Sequence, residues 1–287
     1  MSSETSSSET SSETSSATGT SAGIRTAALE RTLAETLDVF GSLTAEELAA
    51  PSACEGWTVH MTLAHLATGV GGIAGLLPIT PYDQGQEFEA ALDAHAREVA
   101  ARPAAELLDI VRSSVPAVLS PFGGLTDALA ATPVNMGTAG SYPLGSIADA
   151  LVFDHTCHVR WDVLAPRGPV RRTLPDLDGE RVAAAPRWLI GGIPQMTTDR
   201  FRELLTDPLT LVLTGPGGTA VRLLPHAASV ETSVDVPATD DQARATVRTG
   251  AVDFILWGTG REPRHGRVEI SGDTAYANTV LDAFRVY

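Results

Sequence analysis

The sequence predicts an α+β protein in two parts: a helical bundle over residues 24–165, then a linker and small α+β domain over 166–287. Three observations carry this. Apolar residues recur every three or four positions through five long stretches of the first part. Residues 166–179, with three prolines and two glycines, break that texture. Beyond them, Leu209–Thr214 and Ala220–Leu224 flank Gly215-Pro-Gly-Gly218, a hairpin signal. With 287 residues, 43% hydrophobic and 19% charged, the chain can bury a sizeable core, which excludes general disorder.

Residues 1–23 stand outside this scheme. They hold ten Ser, five Thr and three Glu, repeat Ser-Ser-Glu-Thr three times, and have no apolar run. A disordered solvating tail is expected, not a signal peptide. From Ile24 to Leu43, Leu29, Leu33, Leu37 and Phe40 mark the first helix. Thr44 with Glu47 makes a capping box for a short turn ending at Pro51. Thr58 caps the next helix, whose stripe is Val59, Leu63, Leu66, Val70, Ile73 and Leu77. No Asp, Glu or Arg occurs from Gly56 to Tyr82, which invites a membrane reading. A span needs about 20 predominantly apolar residues, and His65, Thr68, several glycines and Pro78 interrupt this one. A helix enclosed within a bundle is expected instead.

Helices are further expected over Phe88–Ala101, Ala105–Leu119 and Leu144 to just before Pro166, with 121–142 as loop. In the second part, Ala183–Thr206 reads as helical pieces broken at Gly191-Gly192 and Pro194. Leu209–Thr214 and Ala220–Leu224 form the hairpin, and Val230–Val236 and Arg267–Ser271 are strands. Asp241–Trp257 and Thr274–Phe284 read as helices.

Composition narrows function. The charge balance is 35 acidic to 20 basic, net −15, and every basic residue is arginine. Such a chain repels phosphate backbones, so nucleic acid is not an expected partner. Without lysine there is no Schiff-base or Walker-type lysine. Two cysteines, Cys54 and Cys157, cannot build a disulfide framework or a four-cysteine zinc site, and a cytoplasmic location is expected.

The last bundle helix carries the chemistry. Ile147, Leu151, Asp154, His158 and Trp161 fall on one stripe, so two ionisable groups face the core one turn apart. Burying them unpaired costs several kcal/mol. Either a metal ion or a mutual Asp–His hydrogen bond removes that cost, and spacing does not choose between them. His65, midway along the uncharged helix, is a third ligand or a satisfied core histidine, with Gly69 and Gly72 leaving room beside it. His155 is an outer-shell or spare group; His60, His95, His226 and His265 read as surface residues. Cys54 reads as a buried structural thiol, and Cys157 projects about 100° away from His158. Arg261 is the best C-terminal candidate for binding an anion, with a solvated helix-end arginine as the alternative. Arg160, beside a ligand, points elsewhere.

These residues carry a resemblance. Ser52-Ala-Cys-Glu-Gly-Trp-Thr-Val-His60 with Leu63-Ala-His-Leu66 resembles the signature of the mycothiol-dependent maleylpyruvate isomerase family, among the DinB-like metal-binding bundles. Asp154-His-Thr-Cys-His158 resembles that family's carboxylate-x-x-x-His motif. Phe254-Ile-Leu-Trp-Gly-Thr-Gly-Arg261 and Val268-Glu-Ile-Ser-Gly-Asp273 look like its sterol-carrier-protein-like domain. The resemblance covers about residues 24–287. It implies zinc, or another divalent metal, on His65, Asp154 and His158, with mycothiol as thiol cofactor and a small electrophile as substrate. The implied reaction is thiol addition to a cis double bond, rotation and elimination, or S-transfer where elimination does not follow. A zinc hydrolase and a non-catalytic metal- or ligand-binding protein are the alternatives. Three departures stand out: Asp154 where the best-known isomerases have Glu, His60-Met61 where Arg-Asp is usual, and three residues rather than two between His158 and Asp162.

Overall fold

The computed structural model describes residues 21–79, 87–226, 229–239 and 241–286. The expected tail lies outside the described residues up to position 20, and Ser21 already belongs to the first helix, α1 (Ser21–Gly41). After α1, Thr44 Oγ1 accepts the Glu47 amide at 3.2 Å while the Glu47 carboxylate accepts the Thr44 amide at 2.8 Å, so α2 (Ala45–Ala49) starts on the expected capping box. Thr58 Oγ1 accepts the Met61 amide at 3.2 Å and starts α3 (Val59–Ile73). Val59, Leu63, Leu66 and Val70 are fully buried, as an uncharged helix requires. Among the described residues no helix is long and apolar enough to cross a membrane. Gly72 serves packing rather than room beside His65: a Cβ there would lie 3.0 Å from Ile79 Cγ1.

The bundle continues with α4 (Phe88–Val99) and α5 (Ala104–Gly123), which runs past Pro116 and Pro121 and so exceeds its expected end. The expected loop contains a short helix, α6 (Asp127–Ala130), and a two-stranded ribbon, β1 (Pro133–Asn135) with β2 (Ser141–Pro143). α7 (Ile147–Cys157) follows and passes into a π-helical turn, His158–Val163.

In the second part, the Asp178 carboxylate accepts the Arg181 amide at 3.1 Å and caps α8 (Gly179–Met196). This helix is continuous, contrary to the break expected at Gly191-Gly192 and Pro194. Val182, Ala185, Trp188, Leu189 and Ile193 bury its apolar face in one core and Ala184 reaches a second, and that packing outweighs the hydrogen bonds lost at the prolines. After α9 (Asp199–Leu204) come β3 (Leu209–Thr214), β4 (Ala220–His226), β5 (Ser229–Val234), β6 (Ala245–Gly250), α10 (Ala251–Gly258), β7 (Val268–Gly272) and α11 (Thr274–Leu281). The sheet order is β5-β4-β3-β6-β7, with only β3 and β6 parallel.

Here the helix expected over 241–257 is corrected. Ala245, Val247 and Thr249 are buried while Arg248 points out, a period of two, and only Ala251 onward is helical. The inward sheet face (Leu209, Leu211, Leu213, Val221, Leu223, Val247) joins α8, α10 and α11 in one apolar core that also takes in Phe153 and Cys157 of α7. A second core fills the bundle, from Leu29 and Leu33 of α1 to Leu107 and Val111 of α5. Two carboxylates, Asp149 buried and Glu35 half-buried, tie the helices crosswise. Glu35 of α1 accepts Arg160 and Arg181 (2.7 and 2.9 Å), and Asp149 of α7 holds Arg25 and Arg187 (3.2 and 2.8 Å).

Candidate metal centre

α3 and α7 bring three sequence-predicted residues together. One turn separates Asp154 of α7 from His158, the first residue of the π turn that continues it, so both project to the same side, where His65 of α3 meets them. His65 Nε2 lies 3.1 Å from Asp154 Oδ1, and His158 Nε2 lies 3.3 Å from the same oxygen. Donor atoms of the three residues all fall within 4.8 Å of one another. The imidazoles meet nearly edge to face, centroids 5.0 Å apart. Their side chains are 11% and 12% exposed and that of Asp154 29%, so the cluster opens toward solvent on the carboxylate side.

Burial opposes charge on this pair, but mutual attraction outweighs it. Hydrogen bonds donated by its imidazole to Asp154 and Asp162 hold His158 well above the ordinary imidazole range. The two imidazoles hold Asp154 well below the ordinary carboxylate range. A proton therefore sits among groups whose lone pairs converge, the position a cation takes when it displaces that proton.

A second layer backs His158. Its Nδ1 lies 2.9 Å from Asp162 Oδ2, which fixes Nδ1 as the donor and turns Nε2 toward Asp154 and His65. His158 and Asp162 are four residues apart, a spacing that keeps both side chains on one side of the chain through the π turn over His158–Val163. Arg261 Nε and Nη2 donate to Asp162 at 3.2 and 2.7 Å. Arg261 is thus 15% exposed and bonded into the centre's backing, not a solvated helix end. Arg167 stands beside it, donating to the Trp161 and Arg261 carbonyls. Despite opposing burial, the imidazole and the guanidinium keep Asp162 well below the usual carboxylate range.

Other expectations are adjusted. Cys54 is half-buried, with Sγ 3.5 Å from His158 Nδ1, so it belongs to this second layer rather than to an inert core. Cys157 is fully buried, and burial pushes its thiol up to about 12, which removes it as a nucleophile. His155 is not a ligand: Nδ1 sits 2.9 Å from Thr36 Oγ1 of α1, on another side of α7. His60 is half-buried with Nε2 3.0 Å from the Ala100 carbonyl, His95 is half-buried, and His226 and His265 are exposed as expected. Arg160 points away, to Glu35.

Sequence reasoning missed the α4 wall. Trp57 packs its ring 5.0 Å from that of His65 and 5.9 Å from that of His158, and its Nε1 donates to Asp93 Oδ1 at 2.8 Å. Glu89, exposed and one turn before Asp93, comes within electrostatic reach of His65, Asp154 and His158, and desolvation raises its carboxyl. The i, i+4 acids Glu89 and Asp93 were the available signal, indistinguishable from a solvated helix face.

The donor set fits a divalent metal. Two imidazole nitrogens and one carboxylate oxygen leave a fourth position open, the composition of a catalytic rather than a structural zinc site.

The fold and this cluster define a two-part α+β protein with a His-Asp-His centre inside its helical bundle. Residues 29–164 match the family model described as mycothiol maleylpyruvate isomerase N-terminal domain, and this part of the chain belongs to that family. Among solved structures, a mycothiol-dependent maleylpyruvate isomerase superposes with a TM-score of 0.52 at 16% identity, covering 86% of this chain and 91% of that one. A point mutant of the mycothiol-dependent maleylpyruvate isomerase gives 0.50 at the same identity and coverage. The chain therefore has the maleylpyruvate isomerase fold across both parts. No curated protein sequence matches it.

Proposed function

We propose that this chain is a zinc-dependent enzyme that uses a low-molecular-weight thiol of the mycothiol type. Its substrate is a small electrophile, taken by cis/trans isomerisation in the maleylpyruvate isomerase manner or by S-transfer. The observation that carries this is the convergence of His65 Nε2, Asp154 Oδ1 and His158 Nε2 with one position left over. A divalent ion held there lowers the pKa of a thiol and so supplies a nucleophile at neutral pH.

The protein's own groups do the rest. Asp162 accepts a hydrogen bond from His158 Nδ1–H and so keeps the imidazole in the tautomer whose Nε2 is free to bind. Arg261 acts as a positioning residue through Asp162. The Trp57 ring covers one side of both imidazoles and excludes water there. Cys54 and Cys157 are free thiols, consistent with action in the cytoplasm.

The test is metal content followed by thiol dependence. Protein purified without chelator should carry about one zinc per chain, and turnover of a cis-alkene electrophile should require both zinc and added thiol. Protein that neither retains zinc nor takes it up would leave Asp154 and His158 as a structural pair and overturn the reading. Turnover without thiol would point to a hydrolase.

A further inference from the structure

We infer that Asp93 of α4 is a positioning residue of the metal centre, acting through the Trp57 indole to fix the imidazoles of His65 and His158. The inference rests on the proposed cation at His65, Asp154 and His158, and it names what holds the ligand rings in place.

The backbone at Trp57 is pinned by its own loop. Its amide donates to the Cys54 carbonyl at 3.1 Å, and its carbonyl accepts the Ser52 amide at 2.9 Å. The Ala53 amide donates to the Asp162 carbonyl at 2.8 Å, which docks the loop on the π turn that carries His158. These bonds leave the indole free to turn about its side-chain torsions. The bond that stops it runs from Nε1–H to Asp93 Oδ1, at 2.8 Å, on a different element.

Asp93 is itself anchored. Arg97, one turn further along α4, gives Nε to Oδ2 at 2.8 Å and Nη2 to Oδ1 at 3.1 Å. The guanidinium holds the Asp93 carboxyl below its usual range, so the acceptor is ionised at neutral pH. A charge-assisted bond to a carboxylate already gripped from behind restrains the indole more firmly than ring contact alone.

The restrained ring reaches two ligands at once. It lies 26° from the plane of His158 with centroids 5.9 Å apart, and 49° from that of His65 at 5.0 Å. Aromatic pairs at such spacings restrict one another's planes. His158 has a further restraint in its Nδ1 bond to Asp162, whereas His65 Nδ1 has no hydrogen-bond partner among the described residues. For His65 the indole stands where a hydrogen-bonded backing group would stand, and Asp93 fixes the indole. Donors held in orientation before a cation arrives bind it more tightly than donors that must be ordered by it.

A double-mutant cycle on zinc affinity, read in the full chain by competition with a chromogenic chelator, tests this. Asp93→Leu removes the acceptor, Asp93→Asn keeps an oxygen that can accept, and Trp57→Phe keeps a ring without the N–H. We expect Asp93→Leu to weaken zinc about three- to tenfold in the presence of Trp57 and by less than about twofold in the Trp57→Phe background. Asp93→Asn should lie closer to wild type than to Asp93→Leu. Acrylamide quenching of the metal-free protein, taken as the difference from the matching Trp57→Phe chain, reads the indole without zinc, and Asp93→Leu should raise it. Unchanged zinc affinity in Asp93→Leu, an equal loss with and without Trp57, or unchanged quenching overturns the inference. If wild type binds no zinc, the proposed centre itself fails, a result the quenching difference cannot produce or mask.

Discussion

Replacing Asp162 by asparagine removes one negative charge from beneath His158 while keeping the side chain's shape. Asp162 accepts His158 Nδ1 at 2.9 Å and Arg261 Nη2 at 2.7 Å, with Arg167 3.6 Å away. Two effects follow. Breaking a buried ion pair from one side costs about 3–5 kcal/mol. Because the Arg261 and Arg167 side chains keep 15% and 25% exposure, water recovers part of that, and a loss near 3 kcal/mol is expected. Separately, loss of an outer carboxylate behind a metal-binding histidine lowers metal affinity about 10- to 100-fold. Urea unfolding of the metal-free protein measures the first, as a lower midpoint at unchanged slope. Competition against a chromogenic zinc chelator measures the second. Zinc affinity within threefold of wild type would show that Asp162 does not orient the ligand, and the assignment of His158 Nε2 as donor would lose its support.

His158→Ala should abolish stoichiometric zinc while far-UV circular dichroism keeps most helical signal, since removing a polar core group is tolerated better than leaving one unpaired. Retained zinc would refute the ligand set. Asp154→Glu should retain the metal, because the cluster opens toward solvent on that side; loss of zinc would mean the centre is tuned to the shorter carboxylate. Burial pushes His155 down to about 4, below its unfolded value near 6.5. The unfolded chain then binds more protons between these values, so stability is full above pH 6.5 and lost as pH falls toward 4. Relative to His155→Gln, wild type should lose about 2 kcal/mol between pH 7.5 and 5.0, and a flat difference refutes the assignment. Glu35→Gln strips Arg160 and Arg181 of their shared partner and should cost about 3 kcal/mol in urea unfolding. A shift under 1 kcal/mol would show that water replaces the carboxylate there.

The bundle was legible because its signals are local. The Thr44 and Thr58 caps and the uncharged stripe from Val59 to Val70 each fix an element from within a few residues. So was the pairing of Asp154 with His158, which only helical spacing creates. Strand β6 was misread because Ala245–Gly250 runs without a turn into the strongly apolar α10, and the merged stretch mimics one helix. Two glycines and a proline made α8 look broken; only the sheet and bundle pressing on it from two sides keep it whole. Glu89 and Asp93 could not be singled out, because their role depends on Trp57 crossing from another element. Cys54 is similar: its nearness to His158 arises from packing 104 residues apart in sequence.

Arg261 follows α10 in the C-terminal part, and Asp162 closes α7, so the hand holding His158 reaches across the whole chain. A cation drawn to His158 Nε2 sharpens the Nδ1–H dipole, which strengthens the grip of Asp162 and, through it, the docking of Arg261. By reciprocity, whatever free energy couples the two is shared equally: a cation held there would steady the docking as much as the docking steadies the cation. Its affinity would then report on the seating of a domain that contributes none of the donor atoms.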